Sequence, residues 1–167
     1  VGGTCREYLS GQRPKKFDFD ICAPAPPEEV LNVALTLGFE RCAVYKNTGT
    51  VKLKVSGEEY EFTSFRSDKY VRGLHTPAKI YFTDDMELDA RRRDFTCNAV
   101  YFDIKGEKFI DPLGGIEDIK NKRVRTVAAA EKVFGEDGLR LMRLARLCGS
   151  VGFSPDEECL QGAKANA

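Results

Sequence analysis

The chain has 167 residues, 42% apolar and 31% charged, a composition typical of one soluble globular domain or of one domain and the start of another. It carries 26 basic and 26 acidic residues, and the resulting net charge of zero excludes a protein coated with basic residues for nucleic acid. No apolar run approaches the ~20 residues of a membrane span, so we expect no membrane partner and a cytoplasmic location.

Cysteine and histidine usage excludes several kinds of site. The six cysteines are widely scattered without a C-x-x-C pair, which argues against a zinc site or a disulfide framework and favours a reducing cytosol. His75 is the single histidine, so His-based catalytic triads and His-rich metal sites are nearly excluded. The chain opens at Val1-Gly2-Gly3 without an initiator Met, and we expect it to be a piece of a longer protein.

Three elements are predicted near the start of the chain. Gly2-Gly3-Thr4 predicts a turn that leads into a short helix ending near Gly11. Residues 17–22 alternate apolar and acidic side chains, which is the period-two pattern of a strand. A helix is expected from Pro26 to Gly38, because proline is tolerated in the first turn and glycine often ends a helix.

Two hairpins and a long irregular segment follow. Residues 50–56 and 59–66 alternate like paired strands around a turn at Gly57-Glu58. Residues 67–93 are charged and weakly periodic, so we expect a long functional or mobile loop there. Residues 99–104 and 107–111 predict the second hairpin.

The last predicted element is a helix from about Glu136 to Gly149, in which Leu141, Leu144 and Cys148 recur at helical spacing. Because strands come first and helices gather toward the end, the order of elements predicts an α+β fold.

The first candidate site residues are Asp18 and Asp20. Residues two apart on a strand project to the same face, so these two like charges would repel each other unless a cation such as Mg²⁺ lies between them. A sheet with one solvated acidic face explains the same pattern. Glu61 lies on the polar face of the strand at 59–66 and can join the aspartates if the two strands are neighbours. Three such carboxylates suit two divalent ions that clamp a phosphoryl displacement.

Five motifs, in order, carry a family resemblance. They are VGGTCREYLSGQRPKKFDFDI, EYEFTSFR, RRRDFTCNAVYFD, DPLGGIEDI and GEDGLRLMRLARLCGSVGF. Together they resemble the branch of the nucleotidyltransferase superfamily shared by bacterial CCA-adding tRNA nucleotidyltransferases and bacterial poly(A) polymerases. The resemblance implies a head domain over residues 1–125, with an antiparallel or mixed sheet and flanking helices, and the start of a helical neck domain over residues 126–167.

The resemblance also implies a role for each matching residue. Asp18 and Asp20 match the family's Mg²⁺-binding aspartates, and Glu61 matches an additional catalytic acidic position. Asp111 and Gly114 match a segment tied to the hinge between head and neck. The implied nucleotide-binding residues are Gly2, Gly3 and Arg6 beside the triphosphate; Arg92, Arg93, Asp94 and Asn98 on the sugar and phosphates; and Glu136, Asp137 and Arg140 at the base. Arg143 and Arg146 extend the same helix and could face phosphates, or could be solvated.

The base-reading assignment has a physical rationale. Asp137 and Arg140 are three residues apart and would share one face of a helix. An aspartate accepts hydrogen bonds and an arginine donates them, so the pair complements the exocyclic amine and ring nitrogen of cytosine or adenine and rejects uracil and guanine. A salt bridge of small value on the helix surface is the alternative explanation.

The function implied by the resemblance is template-independent addition of C and/or A, from CTP and ATP, to the 3′ end of tRNA. Poly(A) addition to RNA is an alternative, because both activities use the same head. A catalytically silent module that binds RNA or nucleotide is a second alternative. The expected partners are therefore tRNA or another RNA 3′ end, ATP and CTP, and the sequence does not give the oligomeric state.

Overall fold

The computed structural model describes residues 1–12, 19–71 and 76–167. Asp18 and His75 lie outside these ranges. The described helices are α1 (Gly3–Leu9), α2 (Pro27–Thr36), α3 (Met86–Arg91), α4 (Gly115–Lys120), α5 (Ala130–Glu136), α6 (Leu139–Arg146) and α7 (Glu157–Ala165). The described strands are β1 (Asp20–Ala23), β2 (Glu40–Tyr45), β3 (Thr50–Val55), β4 (Glu58–Ser64), β5 (Arg66–Lys69), β6 (Lys79–Phe82), β7 (Tyr101–Asp103), β8 (Lys108–Ile110), β9 (Arg123–Val124) and β10 (Ser154–Pro155).

A four-stranded mixed sheet in the order β1-β4-β3-β2 is the centre of the N-terminal half. Strand β1 runs parallel to β4, whereas β4 and β2 each run antiparallel to β3. The predicted hairpin of β3 and β4 is confirmed, but its turn lies at Ser56-Gly57, one residue earlier than predicted. Both turn residues have positive φ, 51° and 90°, the conformation that short hairpin turns require. The predicted α+β fold with a mixed sheet is confirmed.

Alternation along β3 and β4 gives the sheet one apolar face and one polar face. Val51 and Leu53 are buried and pack with Ala34 of α2, which begins at Pro27 and closely matches the predicted helix. The opposite face presents polar side chains from the intervening positions, such as Lys52 and Glu61, to a cleft. The apolar face of the sheet therefore packs on α2, and its polar face lines the cleft.

The prediction of one long loop over residues 67–93 is wrong. Within it, β5 pairs antiparallel with β6, and helix α3 follows. Asp85 is the N-cap of α3, because its Oδ1 accepts hydrogen bonds from the backbone N–H groups of Glu87 and Leu88. The sequence of β5, Arg-Ser-Asp-Lys, has no apolar alternation, because buried ion pairs of Arg66 and Asp68 replace hydrophobic packing there.

Strand β2 was not predicted at all. Its register on β3 shifts between Arg41 and Ala43, and such an irregularity destroys the period-two pattern by which a strand is found in sequence. The second predicted hairpin, β7 with β8, is confirmed.

The C-terminal half packs around the largest cluster of buried apolar side chains. This cluster combines residues on both sides of position 125, so the division into a head over 1–125 and a neck over 126–167 remains a prediction. Its buried members are Phe95, Cys97, Val100, Ile119, Val124, Ala130, Phe134, Leu144, Leu147, Phe153 and Cys159.

The helix predicted from about residue 136 to residue 149 begins three residues later than predicted, at Leu139. Asp137 has an extended backbone (φ −150°, ψ 106°), which separates α5 from α6, and a π-helical turn at Leu147–Val151 follows α6. Asp111 and Gly114, which were predicted to belong to a hinge segment, lie just before α4, with Gly114 as its N-cap. The Asp111 carboxylate accepts hydrogen bonds from the backbone N–H groups of Gly115 and Ile116. None of the helices in the described ranges is long and apolar enough to cross a membrane.

Candidate active site

Asp20 and Glu61 are brought together by the sheet. They are direct partners in the register of the parallel strands β1 and β4, so the condition under which Glu61 can join Asp20, that their strands are neighbours, is met. Gly2, with a φ of 82°, lies against Asp20, and a Cβ atom added at Gly2 would be 3.1 Å from Asp20 Oδ2. The glycine is therefore needed both for its backbone conformation and for its close approach to the carboxylate.

The other predicted metal ligand, Asp18, lies outside the described residues. Within the described ranges no three His, Cys, Asp or Glu side chains come together as a metal site. The donor set that is described nonetheless suits a hard divalent cation, since Asp20 and Glu61 both bring carboxylate oxygens to one face of one sheet.

Glu61 also faces a cation on its other side. Lys52 of β3 is its register partner, and Lys52 Nζ lies 3.2 Å from Glu61 Oε2. Both side chains are about two-fifths exposed. The hydrogen bond to Glu61 raises the pKa of Lys52, which therefore stays charged at neutral pH.

These side chains line a cleft of about 460 Å³ on the polar face of the sheet. Among the described residues, four cationic side chains and two carboxylates line it. The cations are Lys52, Arg66, Arg92 and Arg93, and the carboxylates are Asp20 and Glu61. Cys22 also lines the cleft. Burial raises the pKa of its thiol to about 11, so the thiol stays protonated at neutral pH. The surplus of positive charge suits an anionic ligand.

A wall of three arginines, Arg66, Arg92 and Arg93, closes one side of the cleft. Arg66 Nε donates to Asp68 Oδ1 at 2.8 Å, and the Asp68 side chain is only 2% exposed. Arg92 Nε donates to Asp89 Oδ1 at 2.8 Å, and Arg93 Nη2 donates to Asp89 Oδ2 at 2.9 Å. The arginine wall, as we call these three residues, is thus supported from behind by two buried carboxylates.

Sequence reasoning found Arg92 and Arg93 but missed Arg66, Asp68 and Asp89. Asp89 precedes Arg92 and Arg93 by three and four residues, the spacing of neighbours on a helix surface. That signal was unused because the short helix α3 was not predicted. No comparable signal marks Asp68, whose partner Arg66 is two residues away on a strand.

A second set of predicted residues forms a chain of hydrogen bonds that runs from the buried Arg6 to the exposed Arg143. Arg6 Nη1 donates to Asn98 Oδ1, and Asn98 Nδ2 donates to Asp94 Oδ1 at 3.1 Å. Asp94 Oδ2 accepts from Arg143 Nε at 2.5 Å. The structure therefore brings residues of α1, of the RRRDFTCNA motif and of α6 into one network. Among the described residues, the buried Nε of Arg6 has no hydrogen-bond partner.

The expectation that Asp137 and Arg140 share a helix face is wrong. Asp137 lies in the extended link before α6, where its Oδ1 accepts from the backbone N–H of Leu139. Arg140 is 4% exposed, and its guanidinium bonds within the protein. Its acceptors are Val133 O, Glu136 Oε2, Arg92 O and the Tyr70 hydroxyl, at 3.0, 3.1, 2.9 and 3.4 Å.

Three further predicted residues are placed as follows. Gly3 is the first residue of α1, and an added Cβ there would meet Arg6 Nη2 at 3.6 Å. Glu136 ends α5 and bonds Arg140 as described above. Arg146 is exposed at the end of α6 and does not line the cleft formed by the described residues.

The family model and the most similar curated proteins that were compared point to the same family. The family model of the poly(A) polymerase head domain matches residues 1–125. The CCA-adding enzyme of Geobacillus sp. (strain WCH70) is 37% identical over 170 residues, which is 100% of this chain and 40% of that protein. The CCA-adding enzyme of Geobacillus stearothermophilus is 40% identical over 161 residues, which is 95% of this chain and 38% of that protein.

Solved structures show the same fold. The crystal structure of the Bacillus stearothermophilus CCA-adding enzyme in complex with CTP matches with a TM-score of 0.83 and 36% identity, over 97% of this chain and 37% of that one. A tRNA nucleotidyltransferase complexed with a primer tRNA and an incoming ATP analog matches with a TM-score of 0.74 and 26% identity, over 99% of this chain and 45% of that one. The chain spans about 40% of the length of the curated relatives that it matches. Since the family model covers residues 1–125, the chain belongs to the poly(A) polymerase head domain family.

Proposed function

We propose that this chain is the catalytic part of a template-independent nucleotidyltransferase that adds C and A, from CTP and ATP, to the 3′ end of tRNA. The observation that carries the proposal is the pairing of Asp20 with Glu61 across two neighbouring strands, in a cleft whose other wall is formed by arginines. The relatives at 35–40% identity are CCA-adding enzymes, and bacterial tRNA is processed in the cytoplasm, where we expect this protein to act.

Nucleotidyltransferases of this class use divalent metal ions, and we propose Mg²⁺ here. Asp20, together with Asp18, would hold it, and Glu61 would add a third carboxylate. When bound, the metal would lower the pKa of the attacking 3′-hydroxyl and neutralise phosphate charge. In the same site the arginine wall would bind the triphosphate, and its fixed positive charge would stabilise the negative charge that builds up on the departing pyrophosphate.

The other predicted residues complete a nucleotide site in this proposal. Gly2 and Gly3 let the backbone approach the phosphates, beside the buried Arg6. Asp94 and Asn98 hold the sugar, within the network that includes Arg143. Asp137 and Arg140 select C and A; for this to occur, Arg140 must exchange some of its internal acceptors for the base. Arg146 remains a candidate contact for RNA phosphate.

The test is Asp20→Asn in the full natural protein. Asparagine keeps the size of the side chain but removes the charge that a divalent metal requires, so incorporation of radiolabelled CMP and AMP into tRNA lacking its 3′ terminus is expected to fall at least about 10³-fold. Asp84→Asn, at an exposed aspartate outside the cleft, is the matched control and should leave incorporation unchanged. Activity of the wild-type level in Asp20→Asn would overturn the proposal.

Poly(A) addition is the second candidate, because the matching family model is named for poly(A) polymerases. The same assay separates the two. With each nucleotide offered singly and together, a CCA-adding enzyme extends truncated tRNA by C, C and A and stops, whereas a poly(A) polymerase makes a long ladder with ATP alone. A protein that binds CTP and releases no pyrophosphate would instead be a silent binding module.

A further inference from the structure

Asp89 is a fully buried carboxylate behind the arginine wall. It is 0% exposed, and its two carboxylate oxygens accept four hydrogen bonds. Oδ1 accepts from the backbone N–H of Arg66 at 3.3 Å and from Arg92 Nε at 2.8 Å. Oδ2 accepts from Arg93 Nη2 at 2.9 Å and from the Tyr101 hydroxyl at 2.7 Å. One carboxylate therefore holds the guanidinium groups of Arg92 and Arg93 and the backbone of Arg66.

Without such a group the wall would not hold its shape. Three guanidinium groups on one side of a small cleft repel one another, and an arginine side chain has enough rotamer freedom to turn toward water. Asp89 binds Arg92 through Nε and Arg93 through Nη2, while both residues still line the cleft. The Arg93 guanidinium also lies over the Tyr101 ring, 5.3 Å from its centroid, and its Nε donates to the Tyr101 hydroxyl.

We infer that Asp89 is a positioning residue, which fixes the guanidinium groups of Arg92 and Arg93 and the backbone of Arg66, and so preforms a site for the β- and γ-phosphates of the incoming nucleotide and for the pyrophosphate that leaves. The inference rests on the proposed function. Asp89 does not line the cleft and so does not touch the ligand. It acts through the arginines. If these are already held in place before the phosphates bind, no binding energy is spent on ordering the arginine side chains.

The prediction for Asp89→Asn is a selective loss of pyrophosphate-side binding. An asparagine can accept through one atom only, so at least one arginine loses its partner and leaves the wall. The inhibition constant of inorganic pyrophosphate and the KM for CTP should each rise about tenfold, because a charged partner is lost from a buried pair. The KM for the tRNA substrate should stay within about twofold, since no tRNA group contacts the wall in the proposed arrangement.

The control is Asp118→Asn. Asp118 is also 0% exposed and also bonds two arginines, Arg123 and Arg125, but neither of these lines the cleft. A general weakening of the fold would affect both variants alike, whereas the inference predicts that only Asp89→Asn changes the pyrophosphate inhibition constant. Equal changes in both variants, or no change in Asp89→Asn, would overturn it.

A milder variant keeps the inference testable if Asp89→Asn does not fold. Tyr101→Phe leaves the carboxylate in place and removes the hydroxyl that bonds both Asp89 and Arg93, so the pyrophosphate inhibition constant should rise about two- to threefold. An unchanged constant in a folded Tyr101→Phe would contradict the inference. The two proposals fail separately: an active Asp20→Asn overturns the function, while an inactive Asp20→Asn with normal pyrophosphate binding in Asp89→Asn overturns only the role of Asp89.

Discussion

The two buried aspartates Asp89 and Asp118 show how one interaction can serve two purposes. Each is fully buried, and each accepts hydrogen bonds from two arginines and from one hydroxyl. The arginines of Asp89 have side chains only 13% and 16% exposed and line the cleft. The arginines of Asp118 are 43% and 38% exposed and lie on the surface near α4.

The difference lies in what the arginines do next. Arg125 Nη2 donates to the backbone carbonyl of Leu113, and the Thr96 hydroxyl donates to Asp118 Oδ2 at 2.6 Å, so this network ties α4 to the RRRDFTCNA segment. Arg92 and Arg93 instead turn toward an open cleft. A buried carboxylate with two arginines is therefore structural in one place and prepares a binding surface in the other, and only the location of the arginines distinguishes them.

The largest expected effect is on stability, at Asp118. Asp118→Asn should lower the free energy of unfolding by about 3 kcal/mol, because removing one charge from a buried ion network leaves the others uncompensated. Urea unfolding followed by circular dichroism measures the change. The KM for CTP of the folded protein should not move; a rise like that of Asp89→Asn would erase the distinction between the two networks.

The next effect concerns Arg140, which joins α6 to the arginine wall through its hydrogen bond to Arg92 O. Arg140→Lys keeps the charge but loses the planar fork that could pair with a base edge. We expect the ratio of kcat/KM for CTP to that for UTP to fall about tenfold. A ratio that stays the same while kcat falls would mean that Arg140 supports the wall and does not read the base.

The pH dependence of stability tests the charge on Asp89. Burial alone would raise the pKa of Asp89, but the charges of Arg93 and Arg92 and the Tyr101 hydrogen bond outweigh burial and lower the pKa below its usual value. The stability from this carboxylate is therefore present above the ordinary aspartate pKa of about 3.9 and is lost as the pH falls through the lower folded-state value. The difference in unfolding free energy between the wild type and Asp89→Asn should shrink over that acidic range. A difference that is constant with pH would mean that Asp89 is uncharged.

The smallest expected effect is at Arg91, the first of three consecutive arginines. Arg91 pairs with Glu87 on the outer side of α3, and both side chains are more than half exposed. Arg91→Met should lower the free energy of unfolding by no more than about 0.5 kcal/mol, because solvent screens such pairs. It should leave the pyrophosphate inhibition constant unchanged, in contrast to Arg93→Met, in which the constant should rise.

Part of this architecture could be predicted from the sequence. The helix that follows Pro27 and the hairpin of β3 and β4 have regular apolar periods, because each packs one face on a core, as Val51 and Ala34 do. Elements held by polar contacts have no such period. Strand β5 depends on the ion pair of Arg66 with Asp68 and has no apolar period, so the sequence predicts a loop there.

The candidate site was predictable to a similar extent. Motifs pointed to Asp20, Glu61, Arg92 and Arg93, and the structure brings these four residues to one cleft. The supporting carboxylates were missed, since their role depends on which residues the fold buries. The break between α5 and α6 was also missed, because the apolar spacing of α6 continues while Asp137, ahead of it, takes an extended conformation.

The most direct test of the account is crystallographic. Crystals of the full natural protein soaked with CTP and MnCl₂ should give an anomalous manganese peak within coordination distance of the Asp20 carboxylate, with the terminal phosphates of CTP against Arg92 and Arg93. A manganese peak remote from Asp20, or a triphosphate bound away from the arginines, would contradict the central claim that this cleft is the site of nucleotidyl transfer.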